Sequence, residues 1–393
     1  FYLVNTATPL PTLGRAAQLQ TAHVEPASPA RGLSFWQRLP HPIIGLAPMD
    51  GVSDHPFRHI QKKYGNPAVL FTEFTSVEAL CHRDRLSMLN LLYDESQRPI
   101  VAQIYGNTPA YYRQVAILLC ELGFDGIDIN MGCPDKNIAS RGCGAGLIRT
   151  PELAQHLIRE VKAGVQDWVN GATSAACPDL APAFAAEAVL RHQQLPAQYQ
   201  QRRPIPVSVK TRIGYDQPVL EAWIPRLLEA EPAAITLHGR TLKQGYSGQA
   251  DWSAIGRAVE LAQGSGTLLL GNGDVRSQPE AMQRVAAYGV DGVLIGRAAF
   301  GNPFVFCPQE QLEPPGLAER NQRRQLIDIA LEHVQLYHQT FSRYERYWFH
   351  PMRKHLGWYV KDLHGARHVR GRLVQTNSPQ EAEALLREFG MVR

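Results

Sequence analysis

The chain has 393 residues, of which 44% are hydrophobic and 19% charged, so it can bury a large core and is not a disordered protein over its whole length. Its formal net charge of +4 permits a nucleic-acid partner without requiring one. No apolar run reaches the roughly 18 residues of a membrane span, and the six cysteines form neither a Cys-x-x-Cys pair nor a zinc-type cluster with histidine. We therefore expect a cytoplasmic protein with reduced thiols, no metal and no membrane contact.

Residues 1–39 are rich in Ala, Pro and Thr and show no signal-peptide pattern, so we expect a weakly ordered N-terminal extension. The chain begins at Phe1 rather than at Met, which is compatible with a fragment. From residue 40 to 313, short β-branched apolar runs alternate with helix-like segments, which is typical of strands buried on both faces. The predicted strands are Pro42–Leu46, Val69–Thr72, Ile100–Gln103, Gly126–Asn130, Val207–Lys210, Ala234–His238, Leu268–Gly271 and Gly292–Ile295.

Eight such strands with intervening helices predict an α/β fold with a (β/α)8 TIM barrel, and an open parallel sheet is the alternative. Between the fourth and fifth strands lies an insertion at about residues 164–204, rich in Ala, Pro and Gln. We expect a helix at Ala183–His192, because Pro182 is a start signal. The role of this insertion is left open.

Residues 314–393 are predicted to form a C-terminal helical domain, with helices at Arg320–Gln339, Tyr344–Leu363 and Pro379–Phe389. Pro351 should break or restart the second helix. From Pro315 onward there are 13 Lys and Arg against 8 Asp and Glu, a charge of +5, which leaves −1 for the rest of the chain. Basic residues interleaved with aromatic ones suit RNA phosphates and bases, although an ordinary helical bundle would also explain them.

Polar side chains follow nearly every predicted strand, at the rim where the active site of such a barrel forms. The last two loops carry Asn272-Gly273-Asp274 and Gly296-Arg297, which suit a phosphate group. Lys210 and His238 end neighbouring strands and could stabilise the anionic reduced ring of a flavin. Gln103 offers a donor and an acceptor to such a ring, and Pro48-Met49 could cover one of its faces.

Cys133 follows the fourth strand directly, between Gly132 and Pro134, and should lie on a rigid, exposed turn. An ordinary thiol is mostly protonated at neutral pH and can act as a general acid. Cys143, in a Gly-rich stretch ten residues later, competes for this role. We favour Cys133 because it lies nearest the strand end, and we leave the role of Cys143 open.

The rim residues together resemble the tRNA-dihydrouridine synthase family of bacteria. The resemblance is strong from about Ile43 to Phe306, weaker in the tail to about Arg372, and absent from residues 1–39 and from the insertion. It depends on six motifs in the family's order. These are Leu46-Ala47-Pro48-Met49-Asp50-Gly51-Val52-Ser53-Asp54, Asp128-Ile129-Asn130-Met131-Gly132-Cys133-Pro134, Val209-Lys210-Thr211-Arg212-Ile213-Gly214, Leu237-His238-Gly239-Arg240-Thr241, Gly271-Asn272-Gly273-Asp274 and Ile295-Gly296-Arg297.

The resemblance implies an FMN-dependent oxidoreductase that reduces the C5=C6 bond of uridines in tRNA, with NADPH as reductant and Cys133 as proton donor. It implies that the helical domain docks tRNA, and Met352–Tyr359 resembles a stretch of that domain. We take Asn130, Arg212, Arg353 and Lys354 as substrate contacts. The implied FMN contacts are Pro48, Met49, Asp50, Gln103, Lys210, His238, Asn272, Gly273, Asp274, Gly296 and Arg297.

Two other functions remain as alternatives at this point. Dihydroorotate dehydrogenases and related FMN barrels act on free small molecules, and they would explain the rim and the thiol but not the basic, aromatic tail. A non-enzymatic RNA-binding protein would explain the tail alone. The target uridine is left open, because Asp135–Cys143 departs from the best-known subgroups and the insertion has no recognised counterpart. The choice between NADPH and NADH and the oligomeric state are also left open.

Overall fold

The computed structural model describes residues 34–82, 85–308, 318–344 and 347–391. Within these residues nine strands form one parallel sheet that curls into a barrel, in the order β1-β9-β8-β7-β6-β5-β4-β2, with β3 pairing β4. The strands are β1 Ile43–Leu46, β2 Leu70–Phe71, β3 Thr75–Ser76, β4 Ile100–Tyr105, β5 Gly126–Met131, β6 Val207–Gly214, β7 Ala234–Thr241, β8 Leu268–Asn272 and β9 Gly292–Ile295.

Helices alternate with the strands on the outside of the barrel. Those up to residue 308 are α1 Phe35–Arg38, α2 His55–Gly65, α3 Val77–Cys81, α4 Pro109–Glu121, α5 Lys136–Ser140, α6 Pro151–Val169, α7 Pro182–Gln194, α8 Ala197–Gln200, α9 Leu220–Leu228, α10 Trp252–Ala262 and α11 Gln278–Tyr288. Short 3-10 helices lie at Arg85–Leu91, Glu95–Gln97, Gly144–Arg149, Ser174–Ala176, Arg297–Ala299 and Pro303–Phe306.

The ring of strands closes between β1 and the start of β2. The Leu46 N–H donates to the Val69 carbonyl at 3.1 Å, and the Ala68 N–H donates to the Ile44 carbonyl at 2.8 Å. On its other side β1 pairs in parallel with β9. The predicted (β/α)8 barrel is therefore confirmed, and the open sheet is not found.

Two strands run further than predicted, which changes where the rim lies. β6 continues to Gly214 and β7 to Thr241, because they keep pairing with each other beyond Lys210. Arg212 pairs with His238 in this register. The expectation that Lys210 and His238 end their strands is therefore wrong, and the strand ends add further cationic side chains to the rim. The second predicted strand, Val69–Thr72, is found as the shorter β2, and β3 at Thr75–Ser76 was not predicted.

Part of the expected N-terminal extension is packed. Phe35 and Trp36 of α1 are buried in a cluster with Phe71 and Leu294 at the barrel. They are 6% and 1% exposed, so residues 34–39 do not behave as a weakly ordered segment. The expectation for residues 1–33 lies outside the described residues.

The insertion contains helices that pack on the barrel. α6 extends into it as far as Val169, and α7 begins at Pro182 as predicted. The Arg98 guanidinium lies 3.6 Å from the ring centroid of Tyr199, which anchors the end of the insertion on the barrel. We assign no catalytic or binding role to these contacts.

The C-terminal tail is helical, and the first and last of its three predicted helices are found with slightly longer bounds. Its helices are α12 Ala318–Phe341, α13 Met352–Tyr359, α14 Ala366–Leu373 and α15 Pro379–Met391. The predicted helix Tyr344–Leu363 is wrong in its first part, because residues 347–351 are not helical. The break predicted at Pro351 is confirmed, since α13 starts at Met352. α14 was not predicted, and Gly371, His368 and Val369 lower its helix propensity. Burial of Ala366, Val369 and Leu373 stabilises it.

The tail packs on the barrel through one apolar cluster. That cluster joins Ile60 of α2 to buried residues of all four tail helices, among them Met352 and Leu373. The Phe300 and Trp358 rings stack with centroids 4.1 Å apart and an angle of 13°. Because Phe300 also borders the cavity at the mouth of the barrel, the tail adjoins the rim.

Candidate active site

A cavity of about 1220 Å³ opens at the carboxyl ends of the strands. It brings together every site residue predicted from the sequence except Arg353 and Lys354. The predicted residues that line it are Pro48, Met49, Asp50, Gln103, Asn130, Cys133, Lys210, Arg212, His238, Asn272, Gly273, Asp274, Gly296 and Arg297.

The floor of the cavity is a buried hydrogen-bond network. The Gln103 amide nitrogen donates to Asp128 at 2.7 Å, and its oxygen accepts from the Asn130 amide nitrogen at 3.1 Å. The other Asp128 oxygen accepts from the Ser208 hydroxyl at 2.7 Å. Because the network fixes both ends of the Gln103 amide, its remaining donor and acceptor point in defined directions.

Asp128 is a functional-site residue that the sequence prediction missed. It is fully buried, and this burial raises the pKa of its carboxyl to about 6, although the bonds from Ser208 and Gln103 lower it. The sequence did offer a sign of this site, because Asp128 is the one acidic residue in the apolar run Gly126–Asn130. A charge buried in a strand needs polar partners, which predicts a hydrogen-bond network around it. Its hydrogen bond holds the Gln103 amide in one orientation.

Asn130 organises the loop that carries the thiol. Its side-chain oxygen accepts from the N–H groups of Gly132 at 3.0 Å and Cys133 at 2.8 Å. The Cys133 carbonyl in turn accepts from the Ala145 N–H at 3.2 Å. The Cys133 backbone is therefore held from both sides, as the predicted rigid turn requires.

The thiol itself is more buried than predicted. Cys133 is 9% exposed, not fully exposed as the turn suggested, because Gly144 packs against it: a Cβ at Gly144 would lie 3.0 Å from the Cys133 Cβ. Burial raises the pKa of the Cys133 thiol, with opposing effects from the Asp135 N–H and from Arg212. The protonated thiol is thus the stable form at neutral pH.

Cys143 does not share this position. It is absent from the cavity lining, and its Sγ lies 3.9 Å from the Arg141 carbonyl. Burial and the nearby Glu78 raise the pKa of its thiol to about 11. Of these two cysteines, only Cys133 faces the cavity.

One wall of the cavity is cationic. The Lys210 ammonium donates to the Asn272 side-chain oxygen at 3.1 Å. Arg212 donates to the Gly132 carbonyl at 2.7 Å and so connects this wall to the cysteine loop. Burial, and secondarily Arg212, lowers the pKa of Lys210 to about 8. His238 is kept neutral, since burial and then Lys210 depress its pKa far below the usual range.

The end of this wall is a pair of arginines bridged by one carboxylate. Asp274 accepts from Arg240 at 2.5 Å and from Arg297 at 3.0 Å. Desolvation raises the pKa of Asp274, but the bonds from Arg240 and Ala250 outweigh it and the net shift is downward. Two guanidinium groups against one carboxylate leave a net positive charge, which suits a phosphate.

Arg240 and Tyr246 were also missed as site residues. Arg240 is 2% exposed, and its Nε has no hydrogen-bond partner among the described residues. Tyr246 is 67% exposed and its ring centroid lies 4.8 Å from the Arg297 guanidinium, over the cavity mouth. Arg240 belongs to the motif Leu237–Thr241 but was not predicted as a site residue. It follows His238, the expected end of the strand, and the sequence does not show that a side chain beyond that point is buried.

The glycines of the last two loops leave room near these cations. Gly273 has a φ of +127°, and a Cβ there would lie 2.6 Å from the Ala250 Cβ, so only glycine fits. A Cβ at Gly296 would lie 3.6 Å from the sulfur of Met49, which is in the loop that follows β1. A planar ligand lying against Met49 can therefore approach the Gly296 backbone closely.

The two predicted tail residues serve other contacts. The Lys354 ammonium donates to the Gly51 carbonyl, beside the cavity residue Asp50. The Arg353 guanidinium donates to the Thr376 carbonyl at 2.7 Å and to Asn377 at 2.6 Å, which fixes the turn between α14 and α15. Their contact with substrate stays a prediction.

Within the described residues, no group of three or more His, Cys, Asp or Glu side chains is placed to hold a metal ion. No helix among them is both long and apolar enough to span a bilayer.

Comparison with known proteins identifies the family. The model of the family "Dihydrouridine synthase (Dus)" matches residues 45–174 and 191–391. The match thus reaches through the tail and into both ends of the insertion, further than the motifs suggested, and omits only 175–190 between its two parts.

Full-length relatives agree with this match. The probable tRNA-dihydrouridine synthase 2 of Bacillus subtilis is 34% identical over 361 residues, which is 91% of this chain and 96% of the relative. A probable tRNA-dihydrouridine synthase of Staphylococcus aureus is 34% identical over 364 residues, which is 91% of this chain and 95% of that relative. Among solved structures, an old yellow enzyme homologue from Zymomonas mobilis aligns at 13% identity with a TM-score of 0.38, over 66% of this chain and 85% of that one. The chain therefore belongs to the dihydrouridine synthase family, a family of FMN-dependent oxidoreductases.

Proposed function

We propose that the protein reduces the C5=C6 bond of a uridine in tRNA, with FMN in the barrel cavity, NADPH as reductant and the Cys133 thiol as proton donor. The observation that carries the proposal is the sharing of one cavity by the cationic wall and by Cys133. Family membership supports tRNA as the substrate. NADPH is supported by the family resemblance alone, and a cytoplasmic location is supported by the six unpaired cysteines.

The residues present fit FMN. The phosphate would be held by Arg297 with the Gly273 and Gly296 loops, all of which line the cavity. Arg240 is buried and bonds the Asp274 carboxylate that Arg297 also binds, so it adds positive charge without touching the phosphate. The Nε of that buried guanidinium is a donor without a partner among the described residues. Lys210 and Gln103 would contact the edge of the flavin ring, and Met49 one of its faces. When bound, FMN supplies the hydride that reaches C6 of the uracil.

Lys210 serves as the positive charge beside the ring. Its pKa of about 8 leaves it mostly protonated at neutral pH, and added negative charge in the cavity would strengthen that protonation. The neutral His238 can accept or donate one hydrogen bond without adding charge. The wall thus favours an anionic ligand, and its carboxylate Asp274 is already bound by Arg240 and Arg297.

Cys133 serves as the general acid. Its raised pKa keeps the proton on sulfur until substrate arrives. Once the proton passes to C5, the resulting thiolate lies near Arg212, whose charge favours that form. The Asn130 and Ala145 hydrogen bonds hold the loop, so the sulfur keeps one position during the transfer.

The direct test is to incubate the FMN-loaded protein with unmodified tRNA and NADPH and to measure dihydrouridine in the product. Dihydrouridine at defined positions is the expected result. A protein that reduces a free pyrimidine and leaves bound tRNA unchanged would instead be a small-molecule oxidoreductase, and the proposal would be wrong.

A further inference from the structure

The cavity has a second lobe on the side away from the cationic wall. The side chains of that wall come from β6 to β9 and their loops, whereas this lobe is formed around the ends of β3 and β4 and by α5. We call it the aromatic lobe, and its lining includes Phe74, Ser76, Ala79, Asn90, Tyr105 and Ile138. None of these six side chains is charged, so they offer no cation to a phosphate. Asp135, which caps α5 and also lines the cavity, carries an acidic group.

Two aromatic rings lie at the centre of the lobe. Phe74 and Tyr105 pack edge to face, with their ring centroids 4.8 Å apart and their planes at 88°. Both side chains are half-buried and line the cavity, so each leaves part of its surface facing the open space. The edge-to-face contact is a favoured geometry and holds the Tyr105 ring in one orientation. Aromatic surface that faces a cavity is suited to packing against the flat face of a nucleobase.

Tyr105 lies one layer above the floor of the cavity. It follows Gln103 by two residues on β4, and both side chains line the cavity because alternate residues of a strand point to the same face. Since Ile104 pairs with Ile129 in the register of β4 and β5, Tyr105 comes next to Asn130. The aromatic lobe therefore begins directly above the hydrogen-bonded pair of Gln103 and Asn130.

The lobe also borders the thiol. A Cβ at Gly144 would lie 3.0 Å from the Cys133 Cβ and 3.2 Å from the Ile138 Cγ2. The side chains of Cys133 and Ile138 thus flank the same glycine, and both line the cavity. A base bound in the lobe would be a neighbour of the base that faces Cys133.

One carboxylate holds the walls of the lobe together. Glu78 of α3 accepts from the N–H groups of Asn107 at 2.9 Å and Thr108 at 3.3 Å, and from the Ser76 hydroxyl at 3.0 Å. The Asn107 amide nitrogen in turn donates to the Arg141 carbonyl at 2.7 Å, beyond the end of α5. These bonds connect β3, the loop after β4 and the loop after α5, so Tyr105 is presented by a fixed frame.

The size of the cavity allows for a second base. Its volume of about 1220 Å³ exceeds the roughly 300–1,000 Å³ that is usual for a pocket with one small ligand. A nucleobase has flat apolar faces for the two rings, and its edge can bond to the Asn90 side-chain amide, which offers both a donor and an acceptor. It needs no cation, in contrast to a phosphate.

We infer that the aromatic lobe binds the base of a nucleotide adjacent to the target uridine, with Tyr105 as the stacking residue and Phe74 as its support. This inference rests on the proposed function and adds a determinant of which uridine is chosen. The floor residues and Cys133 are assigned to the uracil itself, so the lobe reads its sequence context.

The first test is Tyr105→Leu in the full-length, FMN-loaded protein, with Tyr105→Phe and Tyr111→Leu as comparisons. Tyr111 is also half-buried and edge to face with a ring, that of His82 at 5.7 Å, but it is absent from the cavity lining. We expect Tyr105→Leu to lower kcat/KM for tRNA about fivefold to a hundredfold, since loss of an aromatic partner of a base has an effect of this order. Tyr105→Phe and Tyr111→Leu should stay close to the parent, and melting temperatures show that all variants are folded.

The second test uses tRNA in which the base on the 5′ or the 3′ side of the modified uridine is replaced by an abasic site. One of the two abasic substrates should lower kcat/KM of the parent by a similar factor, yet have little further effect on Tyr105→Leu. Such non-additivity is expected only if the missing base and the Tyr105 ring contact each other.

Three results would overturn the inference. Tyr105→Leu could react with tRNA as the parent does, or both abasic losses could be equally large in Tyr105→Leu and in the parent. Alternatively, Tyr105→Leu could raise KM for NADPH or lose FMN with an unchanged response to tRNA, which would assign the lobe to the nicotinamide or to the flavin. A parent protein that forms no dihydrouridine in tRNA would instead refute the proposed function, so the two failures are distinguishable.

Discussion

Lys210→Met tests whether the buried ammonium is kept for the cofactor at the expense of stability. Burial lowers the pKa of Lys210 from an ordinary 10.5 to about 8. Between these values the unfolded amine binds the proton more strongly than the folded one, so this side chain makes stability rise with pH from 8 to 10.5. Below pH 8 the folded protein carries the full free-energy cost of burying the charged Lys210 ammonium. At about 1.36 kcal/mol per pKa unit, this cost to stability amounts to about 3 kcal/mol.

The substitution removes that penalty but leaves the Asn272 side-chain oxygen without its donor at 3.1 Å. The attraction between Lys210 and Asp128 is already contained in the lowered pKa of Lys210. Loss of the donor offsets about 1–2 kcal/mol of the gain in stability. We expect flavin-free Lys210→Met to be more stable than the parent by about 1–2 kcal/mol at pH 7, as measured by urea unfolding. The gain should shrink as the pH rises above 8. FMN affinity should fall by roughly tenfold to a hundredfold, because a charged contact is lost.

Lys62→Met is the matched control. Burial also lowers the pKa of Lys62 to about 8, and its ammonium donates to the Pro67 carbonyl at 3.1 Å, away from the cavity lining. It should show the same pH trend in stability and leave FMN affinity unchanged. A flavin-free Lys210→Met protein that is less stable than the parent at pH 7, or that binds FMN equally well, would refute the reasoning.

Two further substitutions probe the loops beside the cavity. Gly144→Ala places a Cβ 3.0 Å from the Cys133 Cβ at a φ of +56°, whereas its control Gly264→Ala has a φ of +77° with nothing within 4 Å. The control should lose about 1 kcal/mol of stability, and Gly144→Ala should lose more because its Cβ is also crowded. Only Gly144→Ala should slow dihydrouridine formation, and equal rates would argue against a fixed Cys133 loop. Lys354→Met removes the donor to the Gly51 carbonyl, so FMN affinity should fall about tenfold and Lys354→Arg should restore most of it. A loss of tRNA affinity with unchanged FMN binding would show instead that Lys354 is the substrate contact predicted from the sequence.

The barrel and most of its rim were predictable because their signals are local. β-branched runs such as Gly126–Asn130 are buried on both faces, and the residues that follow them must meet at one rim. The register of β6 and β7 was not predictable, since it depends on pairing between strands far apart in sequence. Consequently the burial of Arg240, and its bridge to Arg297 through Asp274, became visible only in the structure.

The tail was less predictable, because its helices are stabilised mainly by packing. The break at Pro351 was predictable from the sequence, but the lack of helix at residues 347–350, where Phe349 is buried, was not. α14 has poor intrinsic propensity and forms because Ala366, Val369 and Leu373 are buried. Charge in the tail was countable from the sequence, but which arginines remain unpaired depends on tertiary contacts such as Arg372 with Glu388.

The most direct test of the account is the reoxidation of the reduced, FMN-loaded enzyme by tRNA in the Cys133→Ala variant, with Cys143→Ala as control. Cys133→Ala should retain FMN, be reduced by NADPH and bind tRNA as the parent does, yet reoxidise with tRNA at least about a hundredfold more slowly, because a general acid contributes that much. Cys143→Ala should react at the parent's rate. Reoxidation of Cys133→Ala at the parent's rate, or a slow reaction in Cys143→Ala alone, would contradict the assignment of the cavity thiol as proton donor.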